Sequence, residues 1–275
     1  MRAIDLTNVS ERYRIKFIEQ GKVSWEEILA LNNLSFGIEK GEIMGVIGEN
    51  GAGKTTLLKL ICGMLIPDSG KIEVNGKVSV IMELGAGFNP EFTGKENVLL
   101  NAKMYGLNDN VLDREVRKII EFADLGRFID APVKYYSQGM YMRLAFALAI
   151  FIDPDVLLID DIISVGDEEA RQKSIKKIFE LKHSGKTVVL VSHEMDMVNK
   201  LCDRAILLEK GCIIEQGNPQ KVTQRYLETV GDKKAIAVLK QDGLRAVFNN
   251  GKLFLSYNGS FLTNKEGACS VFFLP

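Results

Sequence analysis

Residues 48 to 55 read Gly48-Glu49-Asn50-Gly51-Ala52-Gly53-Lys54-Thr55, which satisfies the spacing G-x-x-x-x-G-K-[ST]. A polyphosphate is held when several backbone N–H groups point at it from close range, which glycines permit, and when the positive end of a helix lies behind them. Lys54 then reaches the β- and γ-phosphates, and the Thr55 hydroxyl ligates magnesium. Thr56, the next residue, completes the set expected around the nucleotide. The plainer reading, a glycine-rich turn without a ligand, is weakened by context, because an apolar strand precedes the motif and a helical pattern follows it.

Metal-assisted phosphoryl transfer also calls for a carboxylate at the end of a neighbouring buried strand. Val156-Leu157-Leu158-Ile159-Asp160 supplies one, since four apolar residues ending in an acid place Asp160 poorly unless it meets a magnesium shell. Asp161 follows directly. It either orients or deprotonates the attacking water, or serves as a solvated helix-capping acid. His193 lies just past the apolar run Thr187 to Val191, where it can face the γ-phosphate from the far side, although a lone histidine can equally be structural.

These residues need a scaffold that brings distant segments to one edge. Glu42 to Ile47 reads as a strand running into the glycine loop, and Thr55 to Gly63 as the helix behind it. Val156 to Ile159 and Thr187 to Val191 are short, wholly apolar runs of the kind found in parallel strands buried on both faces, with a helix from Asp167 to His183 between them. Upstream, Ala3 to Val9 and Leu34 to Ile38 form an antiparallel edge interrupted by a polar, charged insertion over residues 14 to 28. Pro67 to Gly76 surrounds a short strand and Lys77 to Met82 is another. A helical period covers Lys95 to about Leu125 and again Ser137 to Phe151, so a helical insert is assigned to residues 88–155. After Tyr226 the composition shifts, and the Asn249-Asn250-Gly251 and Asn258-Gly259 turns between alternating segments mark hairpins.

Composition narrows the class. Hydrophobic residues make up 46% and charged residues 26%, which fits a globular chain and not a disordered or collagen-like one. The 35 basic and 36 acidic residues give a formal charge of −1 and no electrostatic footprint for nucleic acid. Leu144 to Ile152 is the longest unbroken apolar run, about half of the roughly 18 residues needed to cross a bilayer, and nothing near Met1 resembles a cleavable signal. The expectation is a cytoplasmic chain whose membrane contact comes through a partner. Cys62, Cys202, Cys212 and Cys269 show no C-x-x-C spacing and are expected to be reduced, ordinary residues rather than zinc ligands.

Taken in order, these motifs resemble those of the ATP-binding-cassette ATPases over residues 1 to 230. The resemblance implies an α/β fold: a P-loop NTPase nucleotide-binding domain with an antiparallel β subdomain, the helical subdomain at about 88–155, and a short β-rich extension over 231–275. It also identifies Tyr136-Ser137-Gln138-Gly139-Met140 with the family signature, usually Leu-Ser-Gly-Gly-Gln. Ser137 and Gly139 of one subunit would then bind the γ-phosphate held by another copy, a role suited to a serine at a helix N-terminus, although Ser137 alone would be a plain N-cap. Tyr13 resembles the aromatic that stacks on adenine, a surface tyrosine being the plain alternative, and Ser164-Val165-Gly166-Asp167 resembles the loop that links the two sites of the dimer.

The stretch Gly85-Ala86-Gly87-Phe88-Asn89-Pro90-Glu91-Phe92-Thr93-Gly94-Lys95-Glu96-Asn97, the form of the signature and the insertion around Trp25 are similar to those of polysaccharide, O-antigen and teichoic acid exporters. The resemblance implies Mg-ATP as fuel, a head-to-tail homodimer, a separate transmembrane permease, a lipid-linked glycan as cargo and a peripheral position on the cytoplasmic face of the bacterial inner membrane. Two departures stand out. Asp161 takes the place of the family's usual glutamate, and the magnesium- and water-sensing glutamine is missing near Glu83-Leu84, where Glu83 is the candidate substitute as a metal ligand. Other cargo, or a regulatory module that scarcely hydrolyses, are the competing expectations. For residues 231–275, glycan recognition competes with an incomplete β-segment, since about 45 residues is close to the lower limit for an independent core.

Overall fold

The computed structural model describes residues 1–19, 22–81, 87–107, 109–160, 168–239, 244–249, 252–257 and 260–261. Its contacts divide the chain into two units, Met1–Thr223 and Gln224–Pro275.

The first unit opens on two long strands, β1 (Arg2–Glu19) and β2 (Lys22–Glu39), paired antiparallel, with β4 (Ser69–Val74) on the free side of β1. The region expected as a polar insertion is therefore strand up to Glu19 and again from Lys22. Its charged residues are compatible with strand because neither face of the outer ribbon is buried, so no apolar alternation is required of it. Bulges near Leu6, Val9 and Glu11 bend the inner half over the core, and Asn8 and Asn33 adopt positive φ there.

The second sheet has six strands in the order β5-β6-β7-β3-β8-β9, comprising β3 (Ile43–Ile47), β5 (Val78–Ile81), β6 (Val156–Asp160), β7 (Thr187–Val191), β8 (Arg204–Glu209) and β9 (Cys212–Gly217). All pairings are parallel except β8 with β9. Every residue of β3, β6 and β7 is buried, as expected of strands covered on both faces. Alternation divides their side chains between two layers. Val46, Leu158, Val189 and Val191 pack with Leu57 and Leu58 of α1 (Lys54–Ile61) and with Ile4, Leu6 and Leu34 of the antiparallel sheet. Leu157, Ile159, Val188 and Leu190 pack on the other side against Ile175 and Ile178 of α5 (Glu168–His183) and Met197 of α6 (Met195–Leu201). Gly45 faces this second side, where its missing Cβ leaves room for Val198 and for Cys202, whose thiol burial pushes up to about 12.

Between β5 and β6 lies the helical insert: α2 (Gly94–Met104), α3 (Asp109–Ala123), two short 3-10 turns (Gly126–Asp130 and Val133–Tyr135) and α4 (Gln138–Phe151). The single helical stretch expected over Lys95 to Leu125 is broken in two. Tyr105 is the C-cap of α2 and Gly106 follows at φ 80°, a left-handed position that a glycine takes without strain. Helix α4 joins the insert to the sheet: Leu144, Ala147 and Leu148 complete a core with Val98, Val116 and Ile119, while Phe146, Ala149 and Ile150 pack under the sheet.

In the second unit, β10 (Leu244–Asn249) and β11 (Lys252–Tyr257) form a hairpin extended by β12 (Ser260–Phe261), with Asn249 opposite Lys252 across the expected turn. The division between units falls inside α7 (Pro219–Leu239), a helix not anticipated from the sequence. Among the described residues no helix is long and apolar enough to cross a membrane.

Candidate functional site

Strands β6, β7 and β3 are neighbours, and their carboxyl ends share one edge: Asp160 pairs with Val191, and Val46 also pairs with Val191. The loop after β3, the last residue of β6 and the segment after β7 therefore converge, which is the crevice where parallel sheets bind ligands. The loop itself is held from below. A Cβ at Gly48 would run into the carbonyl oxygen of Leu208, so only glycine lets the chain pass β8 this closely. At Gly53, φ is 106° and a Cβ would lie 2.6 Å from the carbonyl oxygen of Ala30. The Gly211 N–H donates to the Ala52 carbonyl at 3.0 Å and the Asn32 N–H to the Gly211 carbonyl at 2.8 Å, which fastens the loop to the β8–β9 turn and to β2.

Within this frame Lys54 is buried, and its ammonium donates to the carbonyls of Gly48 at 2.7 Å and Glu49 at 3.0 Å. Its charge thus sits inside the curl of the loop. Glu49, Asn50 and Gly51 are exposed at the rim, and Ala52 is buried beneath it. Helix α1 begins at Gly53 with no side-chain cap and no acidic residue in its first turn. Its leading N–H groups and dipole are not neutralised by its own residues, as an oxyanion requires.

The exposed Thr55 hydroxyl donates to Oδ2 of the buried Asp160 at 3.0 Å. A hydroxyl and a carboxylate oxygen side by side are hard donors, and Mg²⁺ is typically held by one or two such groups together with phosphate oxygens and water. The pair therefore fits the ion. No cluster of three or more His, Cys, Asp or Glu side chains suited to a metal occurs among the described residues. The neighbouring Thr56 is buried, and its Oγ1 lies 3.3 Å from the phenol oxygen of Tyr13. Tyr13, half-buried on β1, is thereby placed beside the first turn of α1.

His193 stands exposed one residue beyond the buried Ser192, past the end of β7. The Ser192 hydroxyl accepts from the Glu194 N–H at 3.1 Å, and Glu194 forms an ion pair with Arg171 of α5. This brace on the segment after β7 was not foreseen, because nothing in the local sequence connects Arg171 to Glu194. Asp161, Glu83 and the Ser164-Val165-Gly166-Asp167 segment lie outside the described residues.

Ser137 and Gly139 belong to another element. Ser137 is the exposed N-cap of α4, accepting from the Met140 N–H at 3.2 Å, and no hydrogen bond among the described residues joins it to the loop or to Asp160. The residue before it is anchored: the Tyr136 phenol donates to the Phe128 carbonyl at 2.7 Å, and burial pushes that phenol above its ordinary value. A second pair of unforeseen residues organises the segment that leads into α2. Asn97, fully buried, donates from one amide nitrogen to the carbonyls of Asn89, Phe92 and Thr93, and its oxygen accepts from the Asn89 N–H at 2.7 Å. Asn101 reaches the carbonyls of Gly87 and Asn97, both at 2.9 Å. The signal lay in the asparagine spacing of four, which puts both amides on one helix face.

A P-loop on the carboxyl edge of a parallel sheet, with a strand-end aspartate against its threonine and a helical insert carrying a serine-capped helix, defines a nucleotide-binding cassette. Residues 31–164 match the ABC transporter family model. The chain is 47% identical over 203 residues to the O-antigen export system ATP-binding protein RfbB of Myxococcus xanthus, a match covering 74% of this chain and 46% of that protein. It is 41% identical to the protein of the same name in Klebsiella pneumoniae, over 74% of this chain and 82% of that one. It is also 45% identical to the teichoic acids export ATP-binding protein TagH of Bacillus cereus, over 72% of this chain and 36% of that one. The chain thus spans less than half the length of some of these relatives. Among solved structures, the dimeric ATP-binding cassette MJ0796 in a post-hydrolysis state bound to ADP and Pi superposes with a TM-score of 0.69 at 23% identity, over 78% of this chain and 98% of that one, a likeness of fold. The chain belongs to the ABC transporter family.

Proposed function

We propose that the chain is the ATP-hydrolysing subunit of an exporter that moves a lipid-linked polysaccharide of the O-antigen, capsule or teichoic acid type across the bacterial inner membrane. The Thr55–Asp160 contact of 3.0 Å at the mouth of the glycine loop carries the hydrolytic part of this reading. The names of the relatives at 41–47% identity support the cargo class.

In this reading the N–H groups of residues 51 to 55 hold the β- and γ-phosphates, and Lys54 turns from its loop carbonyls to the phosphate oxygens. Tyr13 stacks on the adenine from the β1 side. Thr55 and Asp160 hold Mg²⁺, with Glu83 as a further candidate ligand, and when bound the ion neutralises developing charge on the phosphates. Asp161 orients the attacking water for in-line displacement of ADP from the γ-phosphorus, and His193 donates a hydrogen bond to the γ-phosphate oxygens. Ser137 and Gly139 of a second copy close the site over the γ-phosphate, which accords with the exposure of Ser137 at the α4 N-terminus and with the absence, among the described residues, of a hydrogen bond from it to the loop of its own chain. Closure of this homodimer and its release after hydrolysis drive a separate permease subunit, which holds the chain peripherally at the cytoplasmic face of the membrane.

The test is ATP turnover by the purified subunit with its permease, followed by identification of the saccharide that accumulates when the subunit is lost. Absence of nucleotide binding by folded protein would refute the ATPase reading. Normal cell-surface glycan in a deletion strain would refute the cargo alone.

A further inference from the structure

The outer half of the β1–β2 ribbon is an arm with solvent on both faces. From Arg12 to Glu19 it extends by about 24 Å at roughly 3.4 Å per residue. A two-stranded ribbon is marginal in water by itself, so an arm of this length gains stability from whatever it rests on. Its register makes the two faces different. Arg12 opposes Leu29, Arg14 opposes Glu27, Lys16 opposes Trp25 and Ile18 opposes Val23, and alternation puts these four rungs on one face. The other face carries Tyr13 with Ile28, Ile15 with Glu26 and Phe17 with Ser24.

On the first face Trp25 is 54% exposed, Ile18 68% and Val23 53%. The Arg14 guanidinium lies 5.0 Å from the Trp25 ring centroid and the Lys16 ammonium 6.0 Å. No described carboxylate forms an ion pair with Arg12, Arg14 or Lys16, although Glu27 stands directly across from Arg14. Three cations and one carboxylate give this face a surplus of positive charge on a chain whose formal charge is −1.

The order along the arm identifies the occupant. A protein interface has an apolar centre ringed by polar groups. Here the rungs run in sequence from the aliphatic pair Ile18 and Val23, to Trp25 beside Lys16, to Arg14 opposite Glu27, to Arg12 opposite Leu29. That is the order a bilayer interface presents to this face when it is laid on the membrane with its outer end tilted inward: aliphatic groups deepest, the indole at headgroup depth, cations among the phosphates. The cation–π contacts fix the basic groups over the ring while their N–H edges remain available to anions.

We propose that the face bearing Arg12, Arg14, Lys16, Ile18, Val23 and Trp25 docks on the anionic phospholipid headgroups of a membrane. This departs from the expectation that membrane contact comes only through a partner. Trp25 is the single tryptophan of the chain, so intrinsic fluorescence reports on the arm alone. With the full chain, phosphatidylcholine vesicles containing phosphatidylglycerol should shift the emission to the blue and float the protein, high salt should reverse both, and brominated lipid should quench the ring. Arg14→Glu combined with Lys16→Glu should weaken flotation about tenfold or more while ATP binding stays at the wild-type level. Trp25→Ala, followed by flotation alone, should weaken it as well. The proposal is overturned by equal binding to pure phosphatidylcholine, by undiminished flotation of the charge-reversed variant, or by attachment that occurs only when the permease is in the vesicle.

Discussion

Helix α1 and helix α2 begin in opposite ways. At α2 the Thr93 hydroxyl accepts from the Glu96 N–H at 3.1 Å and the Glu96 carboxylate accepts from the Thr93 N–H at 2.8 Å, a closed capping box with an acid in the first turn. At α1 the N-cap is Gly53, with no capping side chain and no acid in the helix's own first turn. One helix satisfies its leading donors from its own sequence, and the other leaves them to a ligand. Helix α4 stands between the two: Ser137 caps one N–H, yet its first turn lacks an acid, so the dipole is still uncancelled. Under the proposed function, the degree of capping would separate a structural helix start from one that binds an anion within the chain and from one that finishes a site on another copy.

The contrast breaks most sharply at α1. Lys54→Ala removes the buried cation of the loop and should lower ATP turnover by about a hundredfold or more, as loss of a charge-stabilising group commonly does. Circular dichroism should remain that of the folded protein, since the loop is also fixed by the Gly211 and Asn32 contacts. Turnover within tenfold of wild type would remove α1 from the chemistry. Ser137→Ala should come next. Binding of nucleotide to the isolated subunit should be unchanged, while turnover of the assembled transporter falls about tenfold or more, and a matched loss in both would place Ser137 in its own chain's site instead.

Asp161 sharpens the comparison from the side of the attacking water. In the proposed role, a carboxylate one methylene shorter than glutamate would hold that water less closely, so Asp161→Glu should raise turnover by up to about tenfold, equivalent to about 1.4 kcal/mol of barrier. Single-turnover measurement separates this from product release, and an unchanged rate would exclude Asp161 from positioning the water.

The glycine loop can be read directly in the sequence because its spacing obeys a local rule, and two of its glycines are set by close approach of backbone, Gly48 to Leu208 of β8 and Gly53 to Ala30 of β2. Asp160 was legible for a related reason: an acid ending a run of four apolar residues needs a partner, and the partner is Thr55, 105 positions away. The neighbouring order of β6, β7 and β3 was not legible, because parallel strands joined by long crossovers leave no local mark of adjacency. The arm over residues 12–29 failed for another reason, since a ribbon wet on both faces carries no apolar alternation to detect. The break between α2 and α3 was marked by Gly106 and overlooked, and the roles of Asn97 and Asn101 needed the positions of loop carbonyls that no spacing rule supplies.

The smallest effect belongs to α2, where the capping box should matter for stability and not for nucleotide. Thr93→Ala removes the hydroxyl that accepts from the Glu96 N–H and should cost about 1 kcal/mol. In a domain of this size that corresponds to roughly 2–4 °C in Tm. The Thr93 N–H, and then its hydroxyl, hold the Glu96 carboxyl below its ordinary value. A carboxyl whose folded value is depressed contributes its stability above its unfolded value and loses it as the pH falls through the folded one. The destabilisation by Glu96→Gln should therefore be full near neutrality and shrink as the acid range is entered, where wild-type Glu96 is itself protonated. ATP affinity should be the same in both variants, because the box closes on its own donors. A loss of affinity that tracks the loss of Tm would show that α2, despite its closed cap, transmits its order to the glycine loop.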